Sequence, residues 1–268
     1  SESRAVIPFR PLVPEPTVSV AVMLLRPSVF SDHPGLTAGF STRNGGVSPA
    51  PYESLNLGTT TADHPDNVAA NRRRFCNALG VSGTQIVEAG QIHGSTVRVA
   101  TEPGVLPDCD GLVTDTPGLL LCIGTADCAA VLLADPHAGV VGACHSGWRG
   151  TAANVTANTV EVMTDLGARP SDMIAYVSPC ISLDAFEVGP EVATQFNPEY
   201  VHRQDEWPRP HVDLKAVIRD QLKQVGLPGE RVKVSPYCTM LDNDDFFSYR
   251  AEDGVTGRML GAIGRSLK

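Results

Sequence analysis

Three side chains that bind soft or borderline metal ions, His93, Cys128 and His145, each stand near the end of a strand-like stretch. Imidazole and thiolate are ligands that zinc prefers. One cysteine and two histidines leave a tetrahedron one ligand short, and an unfilled position marks a catalytic zinc rather than a structural one. Zn²⁺ with one thiolate and two neutral imidazoles keeps a charge of about +1, enough to polarise water or a substrate oxygen. Spacing alone does not establish this centre, because dispersed ligands have no fixed signature. A histidine at a strand interruption, as at His93-Gly94, is more often a turn or hydrogen-bonding residue. Cys128 also admits a metal-free chemistry, as the nucleophile of a cysteine hydrolase with His93 or His145 as its base.

Two arginines lie in glycine-containing polar stretches, Arg43 in Ser41-Thr42-Arg43-Asn44-Gly45-Gly46 and Arg149 in His145-Ser146-Gly147-Trp148-Arg149-Gly150. Glycine lets a backbone approach a ligand, and a guanidinium suits carboxylate or phosphate. A plain surface turn fits the Arg43 stretch equally well, and Arg149 has Asp135 as an alternative partner.

The elements that must position these groups are read from hydrophobic patterning. Leu119–Ile123, Ala129–Ala134 and Gly139–Ala143 are short continuous apolar runs bounded by turn residues, the pattern of buried strands. Cys128 precedes the second run and His145 follows the third. Further strands are expected at Val18–Leu25, Gln85–Glu88, Gly90–Val99 with a break at His93-Gly94, Met173–Val177 and Val232–Ser235. Phe246–Arg250 offers a last one. Helices are expected at Asp66–Leu79, capped by Asp66 and followed by Gly80, and at Asp213–Val225. A third spans Ala152–Leu166 behind a Thr151 cap, which would set a positive helix end and Arg149 near His145. A short helix at Gly189–Phe196, an irregular loop at Asn197–His211 and a closing helix at Arg258–Leu267 complete the chain. Arg72-Arg73-Arg74 reads as a solvated helix face. Several strands are too close in sequence for helical crossovers, so mixed sheets are expected.

Composition bounds the function. The 268 residues carry 21 Lys and Arg against 30 Asp and Glu, a formal charge of −9. That balance argues against nucleic acid or an anionic membrane as partner, yet leaves room for a small anion held by local arginines. No apolar run approaches the roughly 20 residues of a membrane span. The Pro-rich first seventeen residues lack a signal-peptide pattern, so an extended or disordered tail (1–17), one domain (18–268) and a cytoplasmic address are expected. Seven scattered cysteines without a CxxC pair read as reduced thiols rather than a disulfide framework. Cys122 and Cys144 look like core residues and Cys128 does not.

No P-loop, GxGxxG, GxSxG, HExxH or zinc nucleobase-deaminase pattern is present. What the chain does carry, in order, is STRNGGVS (Ser41–Ser48), SLNLG (Ser54–Gly58), QIHG (Gln91–Gly94), TADC (Thr125–Cys128) and HSGWRG (His145–Gly150). Tyr249-Arg250 and Thr256-Gly257-Arg258 follow near the end. This set resembles the YfiH family, also called the laccase-domain or polyphenol-oxidase family, which includes YlmD-like proteins and FAMIN. The resemblance runs from about Phe40 to about Ile263. It implies a single α+β domain, layered, with mixed β-sheets flanked by helices. It also implies zinc held by His93, Cys128 and His145, and activity on purine nucleosides. That activity is phosphorolysis of adenosine, inosine, guanosine and methylthioadenosine, with adenosine deamination as well. On that reading Cys128, Asp127 and Arg149 are the catalytic set, with Asp127 handling a proton. Arg43 and Arg149 hold phosphate, and Asn56 binds sugar or base. The protein would act as a monomer or homodimer.

The chain departs from the family pattern at Ser146 of HSGWRG, at Ser178–Ser182 (SPCIS) and at Ser248–Arg258 (SYRAEDGVTGR), none of which touches the proposed ligands. Two other functions compete. A copper polyphenol oxidase follows from the family's older name, although the sequence lacks an HxH pair or dense histidine cluster. The metal-free cysteine hydrolase draws on a fold shared with deamidating toxins, which is analogy only.

Overall fold

The computed structural model describes residues 21–81 and 85–266. The strands are β1 (Leu24–Leu25), β2 (Leu36–Ser41), β3 (Ile86–Ala89), β4 (Val97–Val99), β5 (Gly104–Leu106), β6 (Gly111–Thr114) and β7 (Leu120–Thr125). They continue with β8 (Ala129–Asp135), β9 (Val140–Ser146), β10 (Ile174–Val177), β11 (Val201–His202), β12 (His211–Val212), β13 (Val232–Val234) and β14 (Met259–Arg265). The helices are α1 (Pro65–Leu79), α2 (Trp148–Ala152), α3 (Val155–Asp165), α4 (Pro190–Ala193) and α5 (Leu214–Gln224).

The continuous apolar runs form strands because both of their faces are covered. One mixed sheet has the order β1-β2-β14-β7-β3-β5, the other β13-β10-β8-β9-β6-β4. Phe40, Leu121 and Ile263 of the first meet Leu132, Ala143 and Tyr176 of the second in a shared core. On the far side of the second sheet, Val155, Met163, Ile218 and Leu222 bring α3 and α5 onto Val131, Leu133 and Cys144. On the far side of the first, Phe75 and Leu79 of α1 cover Leu120, Cys122 and Leu260. The result is an α+β fold with two mixed sheets between helices, as expected. Among the described residues no helix is long and apolar enough to cross a membrane.

Local signals explain most boundaries. Helix α1 ends at Gly80, whose φ of 77° suits glycine, while its cap is His64 rather than Asp66: the His64 ring accepts from the Asp66 amide and Pro65 opens the helix. Asp213 caps α5 through the Ala216 amide. The β8–β9 hairpin turns where Asp135 Oδ1 accepts from the amides of His137 and Ala138.

Several expectations are corrected. Met259–Arg265 is a strand, not a helix, and lies between β2 and β7 with residues 259–264 buried. Phe246–Arg250 forms no strand, Phe246 and Phe247 being core residues of a loop. The expected Ala152–Leu166 helix is broken at Asn154, which adopts a left-handed conformation, so Thr151 lies inside the short α2 and does not cap α3. Within the Arg run, Arg72 makes a two-pronged pair with Glu88 and Arg74 donates to the Gly45 carbonyl; Arg73 alone is exposed. The polar stretch around Arg43 starts on Ser41, the last residue of β2, and the 197–211 loop contains β11 and part of the ribbon it forms with β12. Residues 18–20 of the first expected strand, and the tail 1–17, lie outside the described residues.

Candidate metal centre and its cavity

Strand register assembles the site. In the β8–β9 hairpin Ala129 pairs with Ser146 and Ala130 with His145, so Cys128, one residue before β8, is brought beside His145. Strand β6 pairs with the other edge of β9, Gly111 opposite Cys144, which sets Asp110 beside His145. The parallel β4–β6 pair then carries the 90–96 loop, and with it His93, over Asp110. The ligating atoms of His93, Cys128 and His145 lie within 4.8 Å of one another. The two imidazoles meet edge to face, centroids 4.9 Å apart.

Asp110 holds this arrangement and was not singled out in the sequence. It is fully buried. His145 Nδ1 donates to its Oδ1 at 2.8 Å, leaving His145 Nε2 as the ring atom able to ligate. The amides of Ile92, His93 and Gly94 donate to the same carboxylate at 3.1, 3.0 and 2.7 Å. Gln91 and His93 take positive φ, 44° and 60°. The Gln91 side chain clamps Gly124 at both its amide and its carbonyl, tying this loop to the end of β7. A carboxylate that orients a ligating histidine is the usual outer partner of a metal site.

With no metal bound, Cys128 and His145 hold one another as a thiolate beside an imidazolium, whose proton a metal ion would displace. Burial alone would push the Cys128 thiol up, but the charge of His145 and hydrogen bonds from both imidazoles bring it down to about 6. Burial would likewise lower His145, yet the Cys128 thiolate and Asp110 raise it to about 9. Asp110 is held below its ordinary value because hydrogen bonds from His145, Gly94 and His93 outweigh its desolvation. The three donors therefore fit one metal ion: a ready thiolate, an oriented imidazole and a second imidazole on a pinned loop. Gly147 keeps the space open, since a Cβ there would stand 2.6 Å from Cys128 Sγ.

The centre lies in the wall of a cavity of about 760 Å³, within the usual range for small-ligand sites. Arg149, Arg250 and Arg258 also line it, with Trp148, Phe186 and Tyr249 as aromatic walls. Arg149 is exposed, its guanidinium 4.3 Å from the Trp148 ring centroid, and it belongs to the five-residue α2 rather than to the head of a long helix. Asp127, at φ 81°, lines the cavity, but both its oxygens accept: Oδ1 from the Thr239 hydroxyl and Oδ2 from the Arg250 amide, each at 2.7 Å.

Two residues read as substrate contacts are not in the cavity wall. Arg43 donates to the carbonyls of Glu53 and Asn243, pairs with Glu252 at 3.1 Å and stacks on Phe247. Asn56 is fully buried, where it donates to Thr61 and Asp63 and accepts from the amides of Gly58 and Arg258. Both hold loops together. All seven cysteines are free, and Cys122 and Cys144 are fully buried.

The family described as multi-copper polyphenol oxidoreductase laccase matches residues 37–266. A Deinococcus radiodurans protein named purine nucleoside phosphorylase is 45% identical over 229 residues, covering 84% of this chain and 87% of that one. The crystal structure of Bacillus licheniformis YfiH superposes with a TM-score of 0.85 at 31% identity, over 92% of this chain and 97% of the other. That of Geobacillus stearothermophilus YlmD gives 0.84 at 34% identity, over 91% and 96%.

Proposed function

The chain belongs to the multi-copper polyphenol oxidoreductase laccase family, and on that premise we propose that it is a zinc-dependent purine nucleoside phosphorylase with adenosine deaminase activity at the same site. The observation that carries this reading is the convergence of His93, Cys128 and His145 in the wall of a cavity that is also lined by aromatic rings and by arginines without an ion pair among the described residues. The Deinococcus radiodurans relative, named for the same activity, supports it.

In phosphorolysis a phosphate oxygen bonds to the sugar C1′ as the C1′–N bond breaks. The bond's electron pair leaves with the base, which takes up a proton, giving free base and sugar 1-phosphate. Adenosine, inosine, guanosine and methylthioadenosine are the proposed substrates. Arg149 faces the cavity and holds phosphate through its planar fork. Trp148, Phe186 and Tyr249 supply apolar surface for a purine. His93, Cys128 and His145 would hold the zinc, which when bound supplies a Lewis acid at the cavity wall. Asp110 keeps His145 in the ligating tautomer. Asp127 is assigned to positioning in place of proton handling, because its carboxylate ties Thr239 and Arg250 to the cavity rim. In deamination water adds at the amine-bearing purine carbon and ammonia leaves.

The family's description names copper, but among the described residues one cluster of three metal-binding side chains is found, where multi-copper chemistry needs several. The test uses protein as purified, with its metal measured, on inosine with and without phosphate and with and without air. Phosphate-dependent, air-independent release of hypoxanthine, with about one zinc per chain, is expected. Faster turnover of phenols than of nucleosides by the zinc form would overturn the reading in favour of an oxidase. Full activity in metal-free protein would overturn it in favour of a Cys128 hydrolase.

A further inference from the structure

Arg258 is the cavity arginine whose surroundings call for an anion. Arg149 and Arg250 are exposed, whereas Arg258 is half-buried. One guanidinium nitrogen, Nη1, donates to the carbonyls of Thr256 and Gly257 at 3.0 and 2.8 Å; no other hydrogen bond or ion pair of this side chain is found among the described residues. The centroid of the Tyr249 ring lies 5.7 Å from its guanidinium carbon. No acid of the cavity wall makes an ion pair with it: Glu88 pairs with Arg72, and Asp127 accepts from the Thr239 hydroxyl and the Arg250 amide. Taking a cation out of water without a partner costs several kcal/mol in general, so such groups are retained where a ligand completes the pair. Burial pulls its pKa down, and Tyr249, Cys128 and Asp127 only partly offset that.

The backbone beneath Arg258 is built to hold it still. Its amide donates to the buried Asn56 side chain at 2.9 Å, and its carbonyl accepts from the Leu57 amide at 3.0 Å. Its aliphatic stem lies against Gly58, where a Cβ would stand 2.7 Å from Arg258 Cγ. The next residue, Met259, pairs with Thr125 at the end of β7, three residues before Cys128. Arg258 is therefore a held cation, without an ion pair among the described residues, in the wall of the cavity that Cys128 also lines.

We propose that Arg258 is the principal binding group for the phosphate co-substrate, seated there by Asn56. This rests on the phosphorolysis reading and gives Asn56 a positioning role for the anion.

The test measures binding of inorganic phosphate to the metal-loaded protein by calorimetry, alongside KM for phosphate and for inosine. Arg258→Gln is expected to weaken phosphate binding at least about tenfold, the loss of a charge-assisted contact, while inosine KM moves less than about twofold. Arg258→Lys is expected to fall between, because an ammonium keeps the charge without the fork. Wild-type phosphate affinity in both Arg258 variants, or an equal loss for inosine and phosphate, would overturn the assignment; so would an absence of phosphate binding to the wild type. Phosphate binding that Arg258→Gln abolishes, in a protein that cleaves no nucleoside, would leave the anion site standing and remove phosphorolysis. Should Arg258→Gln fail to fold, the Arg258→Lys affinity decides.

Discussion

Replacing Asp110 by asparagine keeps the side chain's shape and removes its charge. The carboxylate now accepts four hydrogen bonds, two at each oxygen. An asparagine offers one acceptor oxygen, so with His145 kept in its ligating tautomer the NH₂ group faces two donors in either orientation and two bonds are lost. Hydrogen bonds to a charged group contribute about 1.5–3 kcal/mol each, which puts the total loss at about 3–6 kcal/mol. That loss divides between the 92–94 backbone and the orientation of His145. Outer partners of ligating histidines typically govern metal affinity by about 10–100-fold, or about 1.4–2.7 kcal/mol. The remainder should lower Tm by roughly 2–4 °C per kcal/mol. Zinc affinity is read by competition with a chromophoric chelator, and Tm by circular dichroism on metal-free protein. A melting point that falls while zinc affinity stays at the wild-type value would show that Asp110 only pins the loop. No change in either would refute the geometry argued for the site.

Gly147 has an ordinary φ of −77°, so Gly147→Ala tests space alone; with a Cβ 2.6 Å from Cys128 Sγ, zinc affinity should fall about tenfold or more while Tm moves little, and full zinc occupancy at limiting metal would contradict this. Arg43→Ala should lower stability by about 3 kcal/mol in urea titrations, because Glu252 is left poorly paired, and should leave phosphate KM unchanged; a phosphate KM raised severalfold would return Arg43 to the substrate. Asp63 is held below its ordinary value, since hydrogen bonds from Ser48, Asn56, Asn67 and the His64 amide outweigh its burial. A lowered folded pKa gives stability that is present above the unfolded value of about 3.9 and lost as pH falls through the folded one. The urea midpoint of the wild type should therefore drop below about pH 4, and Asp63→Asn should be less stable at neutral pH with a shallower acid limb. An unchanged acid limb would count against it.

The types of the key side chains and their places at the ends of apolar runs were legible in the sequence, because both depend on local order. Cys128 and His145 flank a two-strand unit whose turn, Asp135 to Gly139, is written in turn residues. Helices α1 and α5 were legible too, their inward stripes and end signals being local. What the sequence left open is set by partners far along the chain. Met259–Arg265 is rich in Met, Leu, Ala and Ile, which suit a helix, and only the strands β2 and β7 on its two sides, more than a hundred residues away in sequence, make it a strand. Arg43 looked like an anion binder until Asn243 and Glu252 took up its donors, and Asn56 like a sugar contact until it was found under Arg258. Asp110 carries no motif at all, and its importance comes from the β6–β9 register that sets it against His145. Residue type fixes what a side chain can do; which groups already satisfy it, and so what it remains free to bind, is decided by contacts that exist only in the folded chain.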